Sequence, residues 1–98
     1  MDLQLKGANA LVTGGTKGIG RAIAERLTDE GCNVSICARN EDEVNAAVEA
    51  FKAKGVNACG LSVDVGDGDA LKGWVEASAE VLGGIDCVVS NVSGGNAP

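Results

Sequence analysis

Three glycines, Gly14, Gly18 and Gly20, stand in the run NALVTGGTKGIGRAIAERL (Asn9 to Leu27) with the spacing G-x-x-x-G-x-G. An apolar stretch precedes them and an amphipathic pattern follows, so the chain passes from strand to turn to helix. The first glycine allows a sharp turn off the strand. The second allows the backbone to approach a ligand closely, and the third allows the helix to sit tight on a sheet. A helix opening straight from such a turn presents unpaired N–H groups and the positive end of its dipole, which suits a pyrophosphate. A ligand-free tight turn is the plainer alternative, and the strand before and helix after argue against it. The spacing is not that of a Walker loop, whose lysine follows the second glycine, because Lys17 here precedes Gly18. The G-x-G-x-x-G fingerprint is absent too.

Other residues bear on which nucleotide the loop suits. A carboxylate ending the second strand would bond an adenosine ribose 2′-hydroxyl and select NAD(H). That position holds Ala38, followed by Arg39 and Asn40. An arginine there can meet a 2′-phosphate with a planar, charge-assisted fork, and Lys17 can add a second positive charge. Each is also readable as an ordinary solvated loop residue. Together, with no acid at the strand end, they favour NADP(H) over NAD(H). Asp64, after the third strand, can accept from an adenine amino group while the Val65 N–H faces the ring, or it can be a turn aspartate. The four cysteines, Cys32, Cys37, Cys59 and Cys87, match no C-x-x-C metal or redox pattern. They read as small buried hydrophobes. There is no histidine, so imidazole has no catalytic role in these residues, and no metal site is expected.

The elements that must position these residues alternate. Short apolar runs at 8–14, 33–38, 56–63 and 85–92 read as strands. Three helices fill the gaps. The first places Ile19, Ile23 and Leu27 on its apolar line and stops at Gly31. Asn40 caps the second, with Glu43 three residues on in a capping-box pattern; Val44, Ala47, Val48 and Phe51 form its stripe and Gly55 ends it. Asp67 or Asp69 caps the third, whose inward face is Leu71, Trp74, Val75, Ser78 and Leu82, closed by Gly83 and Gly84. Alternation of this kind implies right-handed crossovers and a doubly wound α/β parallel sheet, helices on both faces, strands ordered 3-2-1-4. Ligands bind such sheets beyond the carboxyl ends of the strands, where the winding reverses.

Composition fits one globular domain or part of one: 98 residues, 45% hydrophobic and 22% charged, with a single proline. The formal charge of −6 comes with no basic stripe, so nucleic acid and anionic membranes are poor partners. No apolar run approaches the ~20 residues of a membrane span. The first residues, MDLQLKGANALVTG, lack the charged and apolar regions of a secretory signal, making the cytoplasm the expected compartment.

TGGTKGIG (Thr13 to Gly20), Asp64 after the third strand, and IDCVVSNVSGG (Ile85 to Gly95) together resemble the short-chain dehydrogenase/reductase family. That family carries T-G-x-x-x-G-[IL]-G after its first strand, an Asp after its third and N-N-A-G at the end of its fourth. The resemblance runs the length of the chain and implies a Rossmann-type sheet. It implies cofactor contacts at Gly14, Thr16, Lys17, Gly18, Ile19, Gly20, Arg39, Asn40, Asp64, Val65, Asn91, Val92 and Ser93. N-N-A-G reads Ser90-Asn91-Val92-Ser93 here. Asn91 matches the second Asn, whose family role is to hold the fourth strand near the cofactor, and it is also readable as a strand-end cap. Ser93 departs from the family glycine. Family activity is hydride transfer between NAD(P)(H) and a carbonyl or alcohol carbon.

The same resemblance puts the family's Ser and Tyr-x-x-x-Lys well after the fourth strand. This chain has no tyrosine and reaches Pro98 at less than half the family's usual length, so no catalytic residue is assigned within it. The expectation is therefore the cofactor-binding N-terminal portion of an oxidoreductase, homo-oligomeric when complete. The fourth strand, apolar on both faces, would be an exposed edge, and residues 1–98 alone are expected to be marginal or aggregation-prone. A catalytically inactive nucleotide-binding or interaction module is the alternative. A methyltransferase on a similar sheet is a weaker one, since Ala38 stands where its ribose-binding acid usually lies.

Overall fold

A computed structural model of the chain describes residues 6–90. Its elements are β1 (Asn9–Thr13), α1 (Gly18–Asp29), β2 (Asn33–Ala38), α2 (Glu41–Lys52), β3 (Ala58–Ser62), α3 (Gly68–Leu82) and β4 (Cys87–Val89). All pairings are parallel and the strand order is β3-β2-β1-β4, the doubly wound arrangement the alternation implied. The register pairs Asn9 with Asn33, Val34 with Ala58, and Ala10 with Cys87.

Because side chains alternate across a strand, β1 and β2 feed both faces. Ala10, Val12, Val34 and Ile36 pack with Ala24 of α1 and with Val44, Ala47, Val48 and Phe51 of α2. Leu11 and Cys37 face the other way, onto Val63 and Trp74, with Leu71, Val75 and Leu82 of α3 flanking them. On that second face Trp74 Nε1–H donates to Ser35 Oγ at 2.9 Å, and Ser35 and Ser78 share a hydrogen bond of 2.6 Å. The buried serine pair and the indole thus satisfy one another. Gly60 of β3 admits α2 closely: a Cβ there would lie 2.8 Å from Val44 Cγ1 and 2.9 Å from the Ile36 carbonyl oxygen.

Several sequence expectations are corrected. The buried residues of α1 are Gly20, Ala24 and Thr28; of the apolar line, Leu27 packs half-buried against the core, Ile23 is half-buried and Ile19 is 70% exposed. Small residues at every fourth position let the helix axis approach the sheet, and the larger side chains flank that contact. Asp67, not Asp69, caps α3, its Oδ1 accepting from the N–H groups of Asp69 and Ala70 at 3.1 Å each. Within the described residues β4 starts at Cys87, later than Ile85, whose side chain packs against the Trp74 cluster instead. Val92, the expected end of that strand, lies outside the described residues. Cys32 and Cys37 are buried as expected, but Cys59 is half-buried and Cys87 exposed. Cys87 lies on β4, one of the two outer strands of the described sheet, beside Val88, which is 56% exposed.

Candidate functional site

The carboxyl ends of β1, β2 and β3 are tied side by side by the backbone. Gly14 N–H donates to the Cys37 carbonyl at 2.8 Å, Val63 N–H to the Ala38 carbonyl at 2.8 Å, and Ser62 Oγ–H to the Arg39 carbonyl at 2.8 Å. The glycine loop, Arg39 and the turn at Asp64 therefore open on one end of the sheet. Thr13, the last residue of β1, donates its hydroxyl to the Val89 carbonyl at 3.5 Å, joining β1 to β4 beneath the loop.

Two of the three glycines noted in the sequence take the left-handed conformation that other residues adopt only with strain: Gly14 at φ +67° and Gly18 at φ +57°. Gly14 turns the chain off β1. A Cβ on Gly18 would meet nothing within 4 Å, so the space above that residue is open to a ligand. Gly20 is buried in the first turn of α1. Gly15, which the spacing argument passed over, is buried too. A Cβ on it would lie 2.5 Å from Ile36 Cγ2, so the loop rests directly on β2.

The head of α1 differs from the other two helix starts. Lys17 occupies its cap position with extended dihedrals (φ −143°, ψ 161°), makes no side-chain cap, and no acidic residue follows in the first turn. The first N–H groups of a helix have no intrahelical partner. Among the described residues no side chain caps them and no acid stands in that first turn, and the space above Gly18 beside them is open. That donor set, with its positive dipole end and glycine approach, fits the pyrophosphate of a dinucleotide.

Arg39 is exposed and forms no ion pair among the described residues. Its free guanidinium is chemically suited to a 2′-phosphate. The other expected contacts are partly committed elsewhere. Asn40 caps α2, its Oδ1 accepting from Glu43 N–H at 3.0 Å. Thr16 Oγ1–H donates to Glu43 Oε1 at 3.4 Å, and Lys17 Nζ lies 3.3 Å from Glu43 Oε2. Glu43 thus gives its backbone N–H to the cap, while its carboxylate reaches the glycine loop. Asp64 Oδ1 accepts from Gly66 N–H at 2.9 Å and the Asp64 carbonyl from Asp67 N–H at 2.8 Å, so it forms the turn into α3. Among the described residues its second carboxylate oxygen carries no such bond. Val65 is half-buried against the Trp74 cluster. Asn91, Val92 and Ser93 lie outside the described residues.

Cys37, the one thiol near the loop, is held protonated: burial pushes it above its usual range, against a smaller opposing effect of a hydrogen bond from the Gly14 backbone. Among the described residues no three His, Cys, Asp or Glu side chains gather as a metal site. No described helix is long and apolar enough to cross a membrane. Among the described residues the site holds the elements of a nucleotide cradle.

Known proteins share this arrangement. The family model described as short chain dehydrogenase matches residues 8–98. Isoepoxydon dehydrogenase of Penicillium expansum is 42% identical, over 91% of this chain and 36% of its own length. The chain therefore spans about a third of such relatives. L-sorbose reductase from Gluconobacter frateurii, solved with NADPH and L-sorbose, superposes with a TM-score of 0.89 at 35% identity, covering 95% of this chain and 36% of that one. An NAD+-bound xylitol dehydrogenase superposes with a TM-score of 0.82 at 32% identity, covering 87% and 33%.

Proposed function

The chain belongs to the short-chain dehydrogenase family, and from that premise we propose that it is the cofactor-binding N-terminal portion of an NADP(H)-dependent oxidoreductase. One observation carries the reading. Alone of the three helices, α1 begins with neither a side-chain cap nor a first-turn acid, and it begins at a glycine with open space above it. A nicotinamide dinucleotide supplies hydride chemistry, in either direction, at a carbonyl or alcohol carbon.

This chain's residues bind and orient. The N–H groups at the start of α1 and the Gly18 backbone would take the pyrophosphate. Gly14, Thr16 and Gly20 would shape the loop around it, and exposed Ile19 offers an apolar surface beside it. Arg39 would take the 2′-phosphate, with Lys17 and Asn40 at the rim. The second Asp64 oxygen and the Val65 N–H would meet the adenine, and Asn91, Val92 and Ser93 the ribose side. The support for NADP(H) is Ala38-Arg39 where an acid would select NAD(H), and an NADPH-bound neighbour; the NAD+-bound neighbour shows that the fold serves both. Substrate acid–base residues belong, on this reading, to the protein beyond this chain, and the working unit is a homo-oligomer acting on a small carbonyl or alcohol. A reducing cytoplasm suits four free cysteines.

Calorimetry on the purified protein with NADPH and NADH tests the assignment. NADPH should bind more tightly. Arg39→Ala should weaken NADPH by about 10- to 100-fold, the worth of a charge-assisted contact, and leave NADH near its original affinity. Failure of either dinucleotide to bind, with S-adenosylmethionine binding instead, would overturn it.

A further inference from the structure

We infer that Glu43 is a specificity-determining residue of this site, lowering its preference for a 2′-phosphorylated nucleotide by holding Lys17. The inference rests on the dinucleotide reading of the loop and of Arg39.

Glu43 is the third residue of α2, where a capping box would return its carboxylate to the backbone N–H of Asn40. The side chain does not return. Its two oxygens leave the helix and reach the glycine loop, Oε1 to the Thr16 hydroxyl and Oε2 to the Lys17 ammonium. The chain thereby gives up one capping bond of α2 for a bridge between its two nucleotide-facing segments. Lys17 is 76% exposed and the Glu43 side chain 37% exposed, so both ends remain accessible to a ligand.

The charges around that bridge settle its sign. Arg39 stands just before the Asn40 cap, and Glu41, Asp42 and Glu43 fill the first turn of α2. A phosphate arriving at Arg39 meets a lysine already neutralised and a carboxylate that repels it. A 2′-hydroxyl meets neither penalty, because it brings no charge. Glu43 therefore opposes the 2′-phosphate while leaving the hydroxyl form almost untouched. Removing its charge while keeping its shape should release Lys17 as a second phosphate ligand.

The test compares 2′,5′-ADP with 5′-AMP, fragments that differ only in the 2′-phosphate, by calorimetry on the wild-type protein and on Glu43→Gln. Glutamine keeps the reach to Thr16 and loses the charge. The variant should bind 2′,5′-ADP about three- to tenfold more tightly, with 5′-AMP unchanged within about twofold. Raising the salt should shrink the gain, as screening requires of an exposed charge. In a Lys17→Ala background the gain from Glu43→Gln should fall, because much of it flows through that lysine. Equal change in both ligands, no change, or weaker 2′,5′-ADP binding would reduce Glu43 to a brace for the loop and overturn the inference. A wild-type protein that binds neither fragment nor NADPH overturns the dinucleotide reading, a result separate from any effect of position 43. Glu43→Asp, too short to span the same gap, keeps the acid at the helix start and should fall between wild type and glutamine.

Discussion

At the amino ends of the strands, four polar residues in register form a continuous relay across the sheet. Asn57 N–H donates to Asn33 Oδ1 at 2.9 Å, and Asn33 Nδ2–H to Asn9 Oδ1 at 2.9 Å. Asn9 Nδ2–H donates to the carbonyls of Leu82 and Gly84 at 3.1 Å each, and Asn9 N–H to Asp86 Oδ2 at 2.8 Å. At the carboxyl ends the pattern reverses. The α1 start is uncapped, Arg39 forms no ion pair among the described residues, and one Asp64 oxygen carries no turn bond. Polar groups that satisfy one another hold a fold together, and polar groups left facing solvent add little to stability but are available to a ligand. One sheet carries both solutions at opposite ends of β1, β2 and β3, each five or six residues long, which separates stability from binding in space.

That separation can be broken at the relay. Asn33→Ala removes the acceptor of Asn57 N–H and the donor to Asn9 Oδ1. We expect a loss of about 1–2 kcal/mol in unfolding free energy, read by denaturant titration, since both partners are left without their bond in a partly buried setting. NADPH affinity measured on the same protein should stay within about twofold if the two ends act independently. A parallel fall in affinity would show that the relay sets the shape of the loop.

The helix starts offer a smaller and sharper comparison. Asp67→Ala deletes the cap of α3 and should cost about 1 kcal/mol. Lys17 already has the extended dihedrals of a capping residue. Lys17→Ser should therefore supply the missing cap and raise the melting temperature, by up to about 1 kcal/mol of stability, while lowering NADPH affinity by occupying an N–H that the pyrophosphate needs and removing a positive charge. A serine that stabilises without weakening binding would place the ligand elsewhere.

What could be read from the sequence follows the range of each interaction. The alternation of strands and helices, the 3-2-1-4 order, the α2 stripe of Val44, Ala47, Val48 and Phe51, and the caps at Asn40 and at one of Asp67 or Asp69 all depend on local periodicity or on residues within one turn. The glycine loop was legible for the same reason. Gly15 and Gly60 were not, since their need arises from Ile36 and Val44, far away in the chain. The reach of Glu43 to the loop spans 27 residues, and the local capping-box pattern pointed the carboxylate the other way. The asparagine relay did leave a trace: an Asn or Asp is the first or second residue of each of the four apolar runs, as Asn9, Asn33, Asn57 and Asp86. Its meaning depends on register, which single runs do not contain. The line Ile19, Ile23, Leu27 was the most hydrophobic on α1, yet closeness to the sheet selected the smallest line, Gly20, Ala24 and Thr28.

The smallest expected effect lies at the amino end of the sheet, where α1 and α2 finish. Lys54 Nζ–H donates to Asp29 Oδ1 at 2.7 Å, Thr28 Oγ1 at 3.1 Å and Glu25 Oε1 at 3.3 Å, and Arg21 Nε–H donates to Glu25 Oε2 at 2.9 Å. The Lys54 hydrogen bond, and then that of Arg21, draws the Glu25 carboxyl below its ordinary 4.5. Asp29 first, then Glu25, raises Lys54 above its ordinary 10.5. A lowered carboxylate contributes stability above its unfolded value and loses it as pH falls through the lower, folded one. A raised lysine contributes fully below 10.5 and loses its share as pH climbs through its folded value. The clamp should therefore add a constant increment between those limits and decline on both sides. Both partners are partly exposed, at 26% and 43%, so the increment should be well under about 1 kcal/mol. Melting curves of wild type and Lys54→Met should differ slightly and evenly near neutrality and converge below pH 4.5 as Glu25 takes its proton. NADPH affinity at neutral pH should be the same in both proteins if the cofactor binds at the glycine loop, because the clamp lies at the opposite end of the sheet.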